Sequence, residues 1–182
     1  MRWTALLMLL PGIAAAQTVI GGAPGNLGRA TTLFSYQDAT GTGNGADTTE
    51  DTLKSFTVPA ATLLSVGDRL HVTAGGTLAA STDTKIIRLK LGSSGSVCGV
   101  QSTTVGQTSW AMICDIIKTD VNKQTISGLT MNTNAAAGTN NTLTQTDTGT
   151  LALVITGQNS TNSVANSLVI RNMIVDYIPA GP

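Results

Sequence analysis

One stretch in the first half of the chain, GDRLHVTAGGTLAASTDTKIIRLKLG, alternates apolar and polar residues twice. Alternation with a period of two is typical of a strand that buries one face and exposes the other. The pattern therefore predicts strands over 69–78 and 84–91. Their apolar sides are expected to face a core, and their polar sides carry Arg69, His71, Thr73, Lys85, Arg88 and Lys90.

Similar short segments, separated by turn residues, continue to the end of the chain. The further strands predicted in this way are 52–58, 96–104, 109–118, 124–132, 150–157 and 167–178. No helical period follows the first seventeen residues, so the pattern favours an antiparallel sandwich or barrel. Eight strands is the number in a jelly roll, and we expect an eight-stranded jelly-roll sandwich over 51–182. The Asn-, Thr- and Gly-rich stretch at 132–149 is expected to be a projecting loop.

The same alternation predicts which side chains form the core of this sandwich. The expected core residues are Leu70, Val72, Leu89, Leu91, Ile113, Ile126, Leu151, Leu153, Ile155, Val169 and Ile174.

The N-terminal part of the chain has a different character. Residues 1–16 combine an arginine, an apolar run and three alanines before Gln17, which resembles a secretory signal peptide. The alternative is an apolar segment that docks into a partner protein. Residues 17–50 are rich in glycine and predict a flexible arm, although 31–37 fits either a short strand or an extended tether.

Composition narrows the choice of partners. Charged residues are 11% of the chain, and ten basic residues balance ten acidic ones. Binding to a phosphate backbone needs a cluster of lysine and arginine, and the chain has no such cluster. We therefore expect no nucleic-acid partner.

Candidate catalytic chemistry is sparse. His71 is the chain's one histidine, and its place on the polar side of a strand predicts a solvent-facing or interface position. A nucleophile motif of the G-x-S-x-G type is absent from the sequence, and a zinc site would need three more ligands beside this histidine. Most of the acidic residues adjoin turn signals, where they bond their own backbone. We expect a non-enzymatic protein with no catalytic, cofactor-binding or metal site.

The two cysteines, Cys98 and Cys114, raise the question of a disulfide. If the strands 96–104 and 109–118 form a hairpin that turns about Gly106, these two residues lie directly opposite each other. Opposite residues in a non-hydrogen-bonded pair are close enough for a disulfide. The alternative is a pair of buried, reduced cysteines that pack as small apolar groups.

A family resemblance rests on several short motifs. These are PAATL at 59–63, GDRL at 67–70, SW at 109–110 and GQN at 157–159, within a region of about 52–178. This arrangement resembles a group of bacteriophage virion proteins in which such segments frame a jelly-roll unit of capsid decorations, head fibres or tail fibres. The resemblance implies a structural, trimeric protein of the virion.

Three functions are compatible with the sequence. The first is a structural component of a tailed bacteriophage virion that forms a homotrimer and attaches to capsid or tail proteins through the N-terminal arm. The second is an exported adhesin, secreted or periplasmic, that binds a host surface glycan through the 132–149 loop. The third is a hydrolase, for which the chain offers few aromatic rings to stack on sugars: two Trp, two Tyr and two Phe.

Overall fold

The computed structural model describes residues 29–80, 83–93, 96–103, 108–132, 136–160 and 164–181. The signal-like segment at 1–16, the beginning of the arm and Gly106 lie outside these residues. The described part contains ten β-strands and no helix. In chain order the strands are β1 (Thr31–Gly43), β2 (Asp51–Val58), β3 (Arg69–Leu78), β4 (Lys85–Leu91), β5 (Ser96–Thr103), β6 (Ser109–Asp120), β7 (Lys123–Asn132), β8 (Ala136–Thr144), β9 (Leu151–Asn159) and β10 (Leu168–Ile178).

The strands form two antiparallel sheets. The six-stranded sheet has the order β1-β10-β3-β6-β7-β8, and the four-stranded sheet has the order β2-β9-β4-β5. Buried side chains from both sheets, such as Val72 on β3, Leu89 on β4 and Leu153 on β9, belong to one hydrophobic core. The predicted all-β, sandwich-like arrangement is therefore confirmed.

Each of the eight predicted strands has a counterpart whose ends lie within two residues of the predicted ends. The structure adds two strands to these eight: β8, which the sequence pattern did not predict, and β1, which includes the stretch 31–37 that fitted either a short strand or an extended tether. Both occur in stretches rich in glycine, threonine or asparagine, where apolar alternation is weak.

Strand β1 corrects the prediction of a flexible arm over 17–50. Its residues pair with β10, the last of the described strands, in a ladder with two register shifts. Phe34 of β1 also stacks on Phe56 of β2, with the ring centroids 5.0 Å apart. Backbone pairing and this aromatic stacking hold the strand in place, so the folded unit extends back at least to Thr31.

Strand β8 corrects the prediction of a projecting loop over 132–149. It pairs with β7 from Met131↔Ala136 to Lys123↔Thr144 and forms an edge of the six-stranded sheet. Its residues are mostly small or polar, and among its described side chains Leu143 packs against the core. An edge strand of this kind is held by its backbone hydrogen bonds, and hydrophobic patterning does not reveal it.

Nine of the eleven predicted core residues are buried, and the other two, Ile113 and Ile174, are not. Ile113 is 38% exposed on the outer face of the six-stranded sheet, and Ile174 is half-buried. On β6 both faces carry apolar residues, so alternation alone could not decide which face is buried. Trp110, Met112 and their neighbours at even positions occupy the core instead.

Lys85 also departs from the prediction. It lies on the buried side of β4 together with Ile87, whereas Arg88 and Lys90 lie on the polar side as expected. Its ammonium group donates to the carbonyl oxygen of Asp83 at 3.3 Å, and burial lowers the pKa of Lys85.

Candidate functional site

The two ends of the sandwich expose aliphatic side chains to different extents. At one end, where β10 finishes and β3 begins, Leu64, Val66 and Val121 are exposed by 63%, 63% and 70%. We call this the Leu64 end. The first residues of β1 pair with Tyr177 and Asp176 at the same end, so residues 1–28 join the fold here. At the opposite end, which we call the Asn44 end, Val164 is the exposed large aliphatic residue of the described part.

Asp68 fixes the loop that carries Leu64 and Val66. Its buried carboxylate accepts hydrogen bonds from the backbone N–H of Ser65 at 2.7 Å and of Ala180 at 2.9 Å. The hydroxyl of Tyr177 donates to it at 3.1 Å. Burial and the neighbouring negative charge raise the pKa of Tyr177 to about 12, so this hydroxyl keeps its proton and remains a donor at neutral pH.

A buried ion pair fixes the remaining part of the Leu64 end. The ammonium group of Lys118 lies 2.6 Å from the carboxylate of Asp147, and it also donates to the carbonyl oxygen of Leu63 at 2.9 Å. Asp147 and Asn122 exchange two further backbone-to-side-chain hydrogen bonds of 3.1 and 3.2 Å. The hydrogen bond from Lys118 is the main cause that lowers the pKa of Asp147, so the carboxylate stays ionised at neutral pH.

These contacts make the Leu64 end a preorganised surface. The loop before Asp68, the turn between β6 and β7 and the segment around Asp147 are all connected through Lys118 and Asp68. Exposed aliphatic side chains on a fixed backbone are suited to binding another protein surface, because little conformational entropy is lost on contact. This end is the candidate functional site, because it combines exposed aliphatic side chains with a backbone fixed by buried hydrogen bonds.

His71 lies on the outer face of the six-stranded sheet, away from the core. Its Nδ1 atom is 2.7 Å from the carboxylate of Asp115, which also lies 3.7 Å from the guanidinium group of Arg69. Within the described part, Asp115 is the hydrogen-bond partner of His71, and no nucleophilic side chain bonds to its ring. The arrangement is a cross-strand cluster of partly exposed charges.

A second charged cluster lies on the outer face of the four-stranded sheet. Glu50 bonds to Lys90 at 2.5 Å, to Arg88 at 3.0 Å and to the hydroxyl of Thr156 at 2.5 Å. Burial acts to raise the pKa of Glu50, but the hydrogen bonds from these three side chains outweigh it and lower the pKa to about 2. The cluster ties the loop before β2 to the sheet. No group of three or more His, Cys, Asp or Glu residues that could hold a metal ion occurs among the residues described.

Cys98 and Cys114 form a disulfide, with their Cα atoms 6.2 Å apart. The predicted hairpin register is nevertheless wrong, because β5 pairs with β4 whereas β6 pairs with β3 and β7. The bond therefore joins the two sheets across the core. Gly128, opposite Cys114 on β7, leaves room for it, since a Cβ atom at this position would overlap the sulfur of Cys98.

The residues of the Leu64 end were not singled out from the sequence. Asp68 belongs to the GDRL motif, where it was expected only to support a turn. Lys118 lies two residues after the buried Ile116 on β6, so the alternation of the strand indicates that its side chain points inward. No local pattern indicates that Asp147 is its partner.

Comparison with protein-family models, with curated proteins and with solved structures finds no match for this chain. Among the residues described, no helix is long and apolar enough to cross a membrane.

Proposed function

We propose that this protein is a non-enzymatic structural component of a tailed bacteriophage virion, a capsid decoration, head fibre or tail-fibre protein. It forms a homotrimer and attaches to other virion proteins through its N-terminal segment. The observation that carries the proposal is the order of the strands in the two sheets.

The strand order supports a jelly roll with an inserted hairpin. If β7 and β8 are set aside and the remaining eight strands are renumbered, the sheets have the orders 1-8-3-6 and 2-7-4-5. In this numbering, successive strands alternate between the two sheets, except that strands 4 and 5 lie in the same sheet. The first strand pairs with the eighth, and the second pairs with the seventh. Such a nested order of two Greek keys supports the proposal of a jelly roll, an architecture of viral capsid and lectin domains.

The Leu64 end supports self-assembly. It combines exposed Leu64, Val66 and Val121 with the point at which residues 1–28 join the fold. A stable interface buries roughly 800 Å² on each partner, which requires more than three side chains. We propose that the segment before Thr31 supplies the rest of this contact, either within the trimer or on the virion body.

Sedimentation of the full chain at micromolar concentration tests the proposal. We expect a trimer, and we expect the variant with Leu64→Ser, Val66→Ser and Val121→Ser to sediment as a monomer. Val164→Ser is the matched control, because this side chain is 65% exposed at the Asn44 end. The control should remain trimeric.

A monomeric wild-type protein would overturn the trimer. Association with the particle is tested separately, by asking whether the protein co-sediments with intact virions in a density gradient. Recovery of the protein only in the fractions free of particles would contradict a virion location.

A further inference from the structure

A depression of about 470 Å³ lies on the outer face of the six-stranded sheet, over the middle of β3. One cross-strand row explains its shape. Asn172, Gly75, Ala111 and Met131 are successive partners on β10, β3, β6 and β7. The two central residues are small, and the two outer residues are large. The row spans three strand spacings of about 4.8 Å, or about 14 Å, so the floor is wide enough for a six-membered sugar ring.

Two glycines allow the backbone to form this floor. A Cβ atom at Gly75 would come within 3.2 Å of the carbonyl oxygen of Trp110 and would stand on the floor itself. A Cβ atom at Gly76 would overlap the carbonyl oxygen of Val169, to which the indole N–H of Trp110 donates at 3.2 Å. Trp110 therefore packs beneath the sheet and supports the depression from the core side.

A β-bulge places a cation beside the depression. Ile170 pairs with Gly76 and Asn172 pairs with Gly75, so the intervening Arg171 has no partner on β3. On the other side of β10, the ladder with β1 also breaks between Gln37 and Thr42. Bulges of this kind redirect side chains and occur near binding sites.

The guanidinium group of Arg171 does not stabilise the described fold through hydrogen bonds or ion pairs. In the described part of the chain it makes no hydrogen bond or ion pair, and Asp38 acts on it only through its charge. The carboxylate of Asp38 is already occupied by the backbone N–H groups of Thr40 and Gly41 and by the hydroxyl of Tyr36. A half-buried arginine with its planar donors unoccupied is suited to bidentate binding of a carboxylate.

The other side chains that line the depression favour a carboxylate carried by a sugar. The amide of Asn172 and the hydroxyls of Thr73 and Thr77 can bond to sugar hydroxyls, while Met131 and Ile113 offer apolar contact to the C–H face of a ring. Among the lining side chains Arg171 is the one cation, and the aromatic ring of Trp110 is buried, which disfavours a nucleotide or a polyphosphate.

We propose that this depression binds a carboxylated sugar unit, such as a uronic acid of a surface polysaccharide. The site lies on the sheet face, apart from the Leu64 end, so that a trimer held by that end leaves it open. This inference goes beyond the structural function proposed above and does not depend on it.

Titration of the full-length protein with glucuronate, glucose and acetate, followed by ligand-observed NMR, tests the site. We expect glucuronate to bind at least ten-fold more tightly than either glucose or acetate. Arg171→Ala should abolish this preference, and Arg171→Lys should keep only part of it, because lysine has the charge without the planar pair of donors. Ala111→Leu should block the floor and weaken glucuronate binding while leaving Arg171 in place.

Lys123→Ala is the matched control, since it removes an exposed cation of β7 outside the depression. It should leave the affinity for glucuronate unchanged. Circular dichroism of each variant establishes that it is folded. Equal binding of glucuronate and acetate would overturn the sugar assignment. Equal binding of glucuronate by the wild type and by folded Arg171→Ala, or no binding of glucuronate at millimolar concentration, would overturn the site.

Discussion

The two ends of the sandwich provide partners for their buried polar side chains in different ways. At the Leu64 end, an ion pair between Lys118 and Asp147 and the carboxylate of Asp68 are buried. At the Asn44 end, which also contains the buried cation Lys85, neutral side chains form a hydrogen-bonded network. The side-chain oxygen of Asn44 accepts from the backbone N–H of Leu168 at 2.8 Å and from the hydroxyl of Ser167 at 3.3 Å, and Ser167 bonds in turn to Asn159.

Both arrangements satisfy buried polar groups, but their stabilities respond differently to substitution and to acid. A neutral network loses one hydrogen bond when one partner is removed, whereas a buried ion pair leaves an uncompensated charge. The buried ion pair at the Leu64 end is therefore more sensitive to substitution and to acid than the neutral network at the Asn44 end. The Leu64 end is also the end at which we propose that assembly occurs.

The largest expected effect is that of Lys118→Met. This change leaves Asp147 buried without its cation and should lower the free energy of unfolding by about 3–5 kcal/mol. The double variant with Lys118→Met and Asp147→Leu should recover most of this loss, because apolar residues of similar volume can replace a buried pair. Urea denaturation at pH 7 measures both, and a loss below about 1 kcal/mol for the single variant would show that the pair is not held in the folded state.

Removal of the disulfide should have the next largest effect. The bond spans 16 residues of sequence and links the two sheets, so replacing both Cys98 and Cys114 by Ala should cost about 3 kcal/mol. Thermal unfolding with and without reductant measures it. Reductant should lower the melting temperature of the wild type and leave that of the double variant unchanged. An unchanged melting temperature of the wild type in reductant would contradict the prediction.

In the neutral network of the Asn44 end, Asn44→Ala should lower the free energy of unfolding by about 1–3 kcal/mol, because the buried N–H of Leu168 loses its acceptor. Thr48→Ala, an exposed change in the same loop, is the control and should leave the urea midpoint nearly unchanged. If Asn44→Ala costs as much as Lys118→Met, the contrast between the two ends fails.

The smallest expected effect is a difference in acid sensitivity. The pKa of Asp147 is lowered in the folded protein, so its contribution is fully present above the unfolded value of about 3.9 and is lost as the pH falls below it. Urea midpoints measured from about pH 6 to about pH 3 should therefore fall in the wild type and fall less steeply in the Lys118→Met, Asp147→Leu variant. The difference in slope is at most about 1.4 kcal/mol per pH unit, the value for one proton.

Asn44→Ala should follow the wild-type acid profile. Glu50, whose pKa is lowered to about 2, contributes in the same direction, so Glu50→Gln serves as a separate reference. Parallel profiles for the wild type and the variant without the ion pair would contradict the assignment of acid sensitivity to Asp147.

The sequence was sufficient for eight of the ten described strands and insufficient for their pairing. Alternation is a local property, and it predicted strands such as Arg69–Leu78 with the correct ends. Which strand lies beside which is decided by contacts between distant segments, and the assumed hairpin of β5 and β6 was wrong for that reason. Strand β8 has no apolar alternation and gave no local signal, and in β1 the signal was limited to 31–37, which fitted a short strand or a tether equally well.

The candidate sites likewise combine features with a local sequence signal and features that depend on contacts between distant segments. The Gly75–Gly76 pair in the middle of a strand could have indicated a close approach of backbone or ligand. The bulge at Arg171 could not be foreseen, because it depends on the register of β10 against β3. Likewise, Val121 and Leu64 are each unremarkable in sequence, and only the fold brings them to one end.

The pairing of β1 with β10 has a consequence for how the protein is made. Among the described strands, β1 is the first, lies at the edge of its sheet and has β10, the last of them, as its neighbour there. On the ribosome, β1 therefore emerges long before its hydrogen-bonding partner. The six-stranded sheet can close only after Leu168–Ile178 has been translated, which makes folding slow and dependent on long-range contacts. Until then β1 is an unprotected strand, and a chain truncated before Leu168 would leave it exposed to aggregation.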